Sequence, residues 1–130
     1  MIFFSVIIPF NSEKRFLEDC LESLREQEID NIETIIILNG ISKDKADLTN
    51  TDTVNALISK YEDLNIIVKS FDNPIGVAEA RNEGLETASG EYVYFIDGDD
   101  YIYKDGLNKL ITIAKETNAD FINGERMETS

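Results

Sequence analysis

The chain reads as an α/β protein with a mostly parallel sheet and helices on both faces. Three observations point there. Apolar, β-rich runs alternate with segments whose apolar residues recur at helical spacing, and alternation of this kind implies parallel strands joined by crossover helices. The runs are continuously apolar rather than period-two, as strands buried on both faces are. Conspicuous polar residues gather just after three of the runs, at the strand ends where ligands of such sheets bind.

Residues 3–10 form the first run. Phe16, Leu17, Cys20, Leu21 and Leu24 follow at helical spacing, with Asn11 or Ser12 as the expected N-cap. Residues 32–38 are the second strand, closed by the turn signal Asn39-Gly40. Val54, Leu57, Ile58 and Tyr61 predict a second helix, and residues 66–71 a third strand. Asn73-Pro74 is expected to open a third helix, with Asn73 as cap and Pro74 at the first helical position. That helix carries Val77, Ala78, Ala80, Arg81 and Leu85 and ends near Gly90. Residues 92–96 are the fourth strand, Leu107, Leu110, Ile111 and Ala114 mark a fourth helix, and residues 120–123 begin a fifth strand. Phe16 and Tyr61 are read as core. No repeat, low-complexity tract or linker interrupts the pattern, so residues 1–130 read as one domain.

Composition bounds the function. With 26 acidic and 12 basic residues the net charge is −14. Such a surface has no basic footprint for nucleic acid, and an anionic membrane repels it. The single cysteine, Cys20, excludes an internal disulfide, fits a reducing compartment and is expected to be buried as a small hydrophobe. The apolar start lacks a basic leader and is interrupted by Pro9 and Asn11, and no run approaches membrane-spanning length. A cytoplasmic protein is expected.

The most informative stretch is Asp97-Gly98-Asp99-Asp100, at the tip of the fourth strand. Like charges this close repel and raise each other's pKa unless a cation sits between them. Oxygen donors suit the hard divalent ions Mg2+ and Mn2+. Because such ions escort phosphates, a metal–diphosphate site is expected. Gly98 lets the backbone turn, so that Asp97 and Asp99 face different parts of one ligand. An isolated Asp-x-Asp is more often a solvated turn or a helix cap; placement after an apolar strand at a ligand-binding edge reverses that. A calcium loop counted from Asp97 fails at Tyr101, Ile102 and Asn108, where it needs an oxygen ligand, glycine and an acid. An aspartyl-phosphate phosphatase fails because the motif follows a late strand and Tyr101 replaces threonine.

In residues 73–85, Gly76, Ala78 and Ala80 remove bulk from the start of a helix, so a ligand or a neighbouring strand approaches closely. Helix N-termini favour anions. Arg81 either meets a phosphate or a base carbonyl, or forms a surface ion pair with Glu79, Glu83 or Asp100.

Together these blocks resemble the family 2 glycosyltransferases of the GT-A fold. Ser5-Val6-Ile7-Ile8-Pro9-Phe10-Asn11 resembles the family's opening strand with one residue missing, and residues 33–40 resemble its second strand. Residues 76–85 resemble its Gly-x-x-x-Ala-Arg-Asn-x-Gly helix, and residues 88–100 its Gly-Glu-Tyr strand with an Asp-x-Asp tip. The resemblance implies a Rossmann-like nucleotide-diphospho-sugar transferase fold. It implies Asp99 as metal ligand on the donor diphosphate, with Asp97 beside it on the metal, ribose or donor sugar. Pro9, Phe10, Asn11 and Asn39 would border the nucleotide, and Gly76, Arg81 and Gly98 complete the donor site. The implied reaction transfers a sugar with inversion to a polysaccharide or glycolipid acceptor. The metal acts as Lewis acid on the departing diphosphate, and a carboxylate base deprotonates the acceptor.

Two departures qualify that reading. The family's second strand usually ends in two acidic residues, whereas this one ends Leu38-Asn39. Asparagine donates as well as accepts, so a pyrimidine edge is still readable; a UDP-sugar is favoured and a dTDP-sugar stays open. The family's domain also continues past this length, with its base and acceptor site in the later half. The catalytic base is therefore expected beyond Ser130, the last residue of this sequence. Asp100 is the nearest extra carboxylate, and helix capping is its expected role. The chain is thus expected to be the donor half, at the inner face of the membrane in the full-length protein, with an exposed apolar face that promotes self-association. The alternative is a non-catalytic module that holds a nucleotide sugar or a protein. A nucleotidyltransferase would need a Gly-rich basic loop after the first strand, which Pro9-Phe10-Asn11-Ser12-Glu13 does not supply.

Overall fold

The computed structural model describes residues 4–96. The acidic tip at residues 97–100, the helix expected around residues 107–114 and the strand expected at residues 120–123 lie outside the described residues. So does Ser130, the point past which the base is expected.

Four parallel strands form one sheet in the order β3-β2-β1-β4: β1 (Phe4–Phe10), β2 (Ile32–Asn39), β3 (Ile66–Phe71) and β4 (Tyr92–Phe95). The register pairs Phe10 with Leu38, Asn39 with Phe71 and Ile7 with Phe95. The crossovers are α1 (Lys14–Arg25), α2 (Thr51–Ile58) with the 3-10 turn Ser59–Leu64, and α3 (Val77–Thr87).

Strand alternation divides the core between the two faces. Val6, Ile8, Phe10, Ile36 and Leu38 pack on one face with Leu17, Cys20, Leu21 and Leu24 of α1 and Val54 and Leu57 of α2. Ile7, Ile35 and Ile37 pack on the other against Ala80 of α3, with Phe71, Val93 and Phe95 alongside. The continuous apolar runs of β1 and β2 are explained by this: each strand is covered twice. Each fully buried Ile or Leu contributes about 1.5–3 kcal/mol relative to exposure. β3, at one end of the sheet, leaves Ile67 and Val68 partly exposed. Cys20 is buried and free, as expected.

The helix starts differ from expectation. α1 begins after Glu13, which makes no side-chain cap, rather than after Asn11 or Ser12. The first turn is anchored from outside instead, by the Lys14 N–H donating to Thr49 Oγ1 at 2.8 Å. α2 has a reciprocal capping box: Thr53 N–H donates to Asn50 Oδ1, and Asn50 N–H to Thr53 Oγ1, both at 3.0 Å. α3 begins after Gly76 rather than at Pro74, because the preceding loop is held extended by contacts with β2. Tyr61 is core as expected, with its hydroxyl donating to Glu22 Oε1 at 2.9 Å. Phe16 is not core: it is half-buried, with the Arg15 guanidinium 4.8 Å from its ring centroid.

Candidate functional site

The C-terminal ends of β1, β2 and β3 and the end of β4 lie along one edge of the sheet, because all four strands run the same way. The strand order sets the ends of β2 and β4 on either side of β1. The Ile96 N–H donates to the Ile7 carbonyl at 2.9 Å, which carries the pairing of β4 with β1 to the last described residue. Ile96 thus lies beside the second half of β1. Asp97, Gly98 and Asp99 themselves lie outside the described residues.

At the end of β1, Pro9 is half-buried and Asn11 exposed, whereas the Phe10 side chain is in the core. The Asn11 side chain is thus accessible at this edge, and that of Phe10 is not. At the end of β2, Asn39 is buried, and period two places it on the face of Ile35, Ile37 and α3, opposite Leu38. Its amide is paired in both senses with one residue. Asn39 Nδ2 donates to the Ile75 carbonyl at 2.8 Å, and the Ile75 N–H donates to Asn39 Oδ1 at 2.7 Å.

Gly40 extends this contact. Its φ of +72° is in the left-handed region that favours glycine. Its N–H donates to the Phe71 carbonyl at 2.8 Å, and a Cβ there would fall 2.8 Å from Pro74 Cγ. Lys43 and Asp72, paired at 2.8 Å, join the loops after β2 and β3 on the surface. Asn39, Gly40, Pro74 and Ile75 thus form one clasp between the end of β2 and the approach to α3.

On α3, Gly76 is the N-cap, and a Cβ there would meet only Glu79 Oε1, at 3.9 Å, while Ala78 is exposed. The Arg81 guanidinium lies 5.5 Å from the Phe95 ring centroid, which carries the cation to the end of β4. Glu83, one of the acids considered for Arg81, pairs with Lys69 of β3 at 3.0 Å. The structure thus brings Pro9, Phe10, Asn39, Gly76 and Arg81 to one end of the sheet. Among the described residues no three His, Cys, Asp or Glu side chains come together as a metal site. The expected ligands are carboxylate oxygens, a donor set that fits Mg2+ or Mn2+.

Sequence reasoning missed Ile75 as the partner of Asn39 and Pro74 as the neighbour of Gly40, because they act through backbone and ring packing. It also missed a buried polar cluster at the N-terminal ends of the strands. Glu33, at the start of β2, is only 5% exposed. Its Oε2 accepts from Ser5 Oγ at 2.5 Å and from the Ser89 N–H at 2.6 Å, and its Oε1 accepts from Ser89 Oγ at 2.9 Å. The Gly90 N–H donates to Ser5 Oγ at 2.9 Å. The available signal was the pairing of Ser5 with Glu33 across two apolar strands, where a polar pair needs a buried partner.

The parallel sheet in the order β3-β2-β1-β4, flanked by helices, is that of the GT-A fold. The profile of the family described as Glycosyl transferase family 2 matches residues 5–130, and the chain belongs to that family. It is 31% identical over 121 residues to the poly(ribitol-phosphate) beta-glucosyltransferase of Bacillus spizizenii, covering 93% of this chain and 18% of that protein. The structure of residues 1–349 of Staphylococcus aureus TarS in complex with UDP-GlcNAc superposes with a TM-score of 0.77 at 27% identity, covering 99% of this chain and 38% of that one. The mannosyltransferase PcManGT of Pyrobaculum calidifontis, in complex with GDP-Man and Mn2+, shares the fold with a TM-score of 0.70 at 23% identity, covering 85% of this chain and 32% of that one. The chain therefore spans about a fifth to two-fifths of the length of these relatives.

Proposed function

We propose that this chain is the donor-binding part of an inverting glycosyltransferase. It holds a nucleoside-diphosphate sugar, UDP-linked by preference, and presents the sugar to a hydroxyl of a polysaccharide or glycolipid acceptor. The observation that carries this reading is the strand order: β2, β1 and β4 are adjacent and parallel, so their ends share one edge. Family membership and the likeness to a TarS fragment bound to UDP-GlcNAc support it. The relation to a poly(ribitol-phosphate) glucosyltransferase supports a polymeric acceptor.

In this reading Pro9, Phe10, Asn11 and Asn39 border the nucleotide. Gly76 leaves room at the start of α3, and Arg81 meets the diphosphate as a charge-assisted donor. Asp97 and Asp99 hold a divalent ion, which when bound supplies Lewis-acid stabilisation of the departing diphosphate. The base that deprotonates the acceptor is assigned to none of the described residues; in this reading it is supplied from beyond Ser130.

Calorimetric titration with UDP, dTDP, GDP and CDP, each with and without Mn2+, tests the reading. The expected outcome is Mn2+-dependent binding of UDP that is lost in Asp99→Ala. Binding of none of the four overturns it. Slow release of UDP from a UDP-sugar in the absence of acceptor separates a transferase from a non-catalytic binding module.

A further inference from the structure

We infer that the side-chain amide of Asn39 is a positioning device for the nucleotide site: its two-way clasp on Ile75 sets the loop that leads into α3. This rests on the donor-binding reading above and deepens it. Residue 39 then acts through Ile75 rather than by reading the base.

The geometry carries the inference. Both ends of the Asn39 amide are engaged by the backbone of one residue, at 2.8 and 2.7 Å. Asn39 is 7% exposed, so those bonds are largely shielded from water. Ile75 lies just before Gly76, the N-cap of α3, and α3 carries Arg81. Displacing the 73–76 loop therefore moves the cap and the first turn at which an anion would dock. Pro74 against Gly40 holds the same loop from a second point.

The chemistry explains why an amide is required. Ile75 presents an N–H and a C=O to the same side chain, so the partner must accept and donate at once. Only a neutral amide or a protonated acid of this length does so. A carboxylate would satisfy the N–H but would face the Ile75 carbonyl with negative charge and leave it without a donor. Asn39→Asp is thus expected to work when protonated and fail when ionised. Burial and the facing carbonyl both favour the protonated form, raising that carboxyl above its ordinary value of about 3.9.

Among the described residues, the charged groups on the elements around position 39 are Glu33 of β2, Lys69 of β3 and Glu79, Arg81, Glu83 and Glu86 of α3, with Lys43 and Asp72 in the adjoining loops; β1 contributes none. All are present in the unaltered chain, which run at the same pH values subtracts their effect.

The test is titration of the whole chain with UDP and Mn2+ between about pH 5 and 8, for the unaltered protein, Asn39→Asp and Asn39→Ala. The Ile75 amide resonance is followed over the same range. Expected is an affinity for Asn39→Asp roughly ten-fold below the unaltered chain at the alkaline end, recovering as the pH falls, with the order of preference among UDP, dTDP, GDP and CDP unchanged. Asn39→Ala is expected to be weak throughout. Equal affinity of Asn39→Asp at every pH overturns the inference, as does a switch of base preference, which would make residue 39 a direct reader of the base. If Asn39→Asp folds only at the acid end, the clasp is supported. If the unaltered chain binds no nucleotide, the donor reading falls. The clasp is then judged on the Ile75 resonance alone, which must move with pH in Asn39→Asp and stay still in the unaltered chain.

Discussion

Glu33 and Ser89 are separated by 56 positions in the chain, yet both the N–H and the hydroxyl of Ser89 donate to the buried Glu33 carboxylate, at 2.6 and 2.9 Å. With Ser5 as a third donor, this carboxylate joins the starts of β1 and β2 to the turn that leads into β4. It secures the sheet at the end opposite the proposed donor site.

Acid should therefore weaken the fold through Glu33. Burial alone would raise its carboxyl pKa, but the hydrogen bonds from Ser5 and Ser89 outweigh burial and lower it. In the unfolded chain the group titrates near 4.3. Its contribution is thus fully present above about pH 4.3 and is lost as the pH falls through the lower folded value. Glu33→Gln places an amide N–H2 against donors and is expected to cost about 1–3 kcal/mol at neutral pH. Urea unfolding at pH 7 and in acid checks both points. Equal stability of variant and parent, with the same acid limb, would remove the carboxylate from the account.

Gly84 is where α3 approaches β1. A Cβ at Gly84 would lie 2.4 Å from Ile7 Cγ2. Gly84→Ala gains about 1 kcal/mol of helix propensity but overpacks a tight contact, which costs typically 1–3 kcal/mol. Net destabilisation is expected. Combining it with Ile7→Ala, which empties the clashing space, should cost less than the sum of the two single changes. Additive melting shifts would count against the close contact.

Gly40→Ala tests the clasp from its other side. The change meets a φ of +72° and a Cβ position 2.8 Å from Pro74 Cγ. A loss of stability of about 1 kcal/mol or more is expected. Pro74→Ala in the same chain should recover the part due to the ring and leave the part due to φ. Thermal melts of the single and double variants separate the two.

At alkaline pH the fold should weaken through Tyr61. Burial and the hydrogen bond to Glu22 push its phenol up to about 12. The unfolded chain ionises near 10, so stability is expected to fall as the pH rises from about 10 toward the folded value. Tyr61→Phe should flatten that limb while keeping a ring beneath Arg25, whose guanidinium lies 4.2 Å from the Tyr61 centroid. An unchanged alkaline limb in the variant would assign it to another group.

The strands were legible because burial on both faces writes itself into the chain as uninterrupted apolar runs. β3 was read with its observed bounds, and β1, β2 and β4 to within one residue at an end. Helix starts were less legible, because tertiary contacts decide them. Asn73-Pro74 has the chemistry of a helix start, but the loop is held extended by Asn39 until Gly76. Asn39 was legible as a candidate site residue from its place at the end of β2. That its amide faces Ile75 was not, since Ile75 contributes only main-chain atoms. Glu33 was overlooked because a lone acid at the head of an apolar strand looks like a solvated end until its three donors are assembled from distant segments.

The order β3-β2-β1-β4 makes the first strand in the chain wait for the last of the four. β2 and β3 add to one side of β1 as they emerge, while the other side keeps its row of unpaired main-chain groups until Tyr92–Phe95 arrive. At ribosomal speeds of about 5–20 residues per second, the interval between residues 10 and 92 lasts roughly 4–16 s. Throughout it the nascent sheet presents an open template to neighbouring chains. Until then β1 is open to mispairing, and the turn that Glu33 captures through Ser89 delivers the strand that covers it.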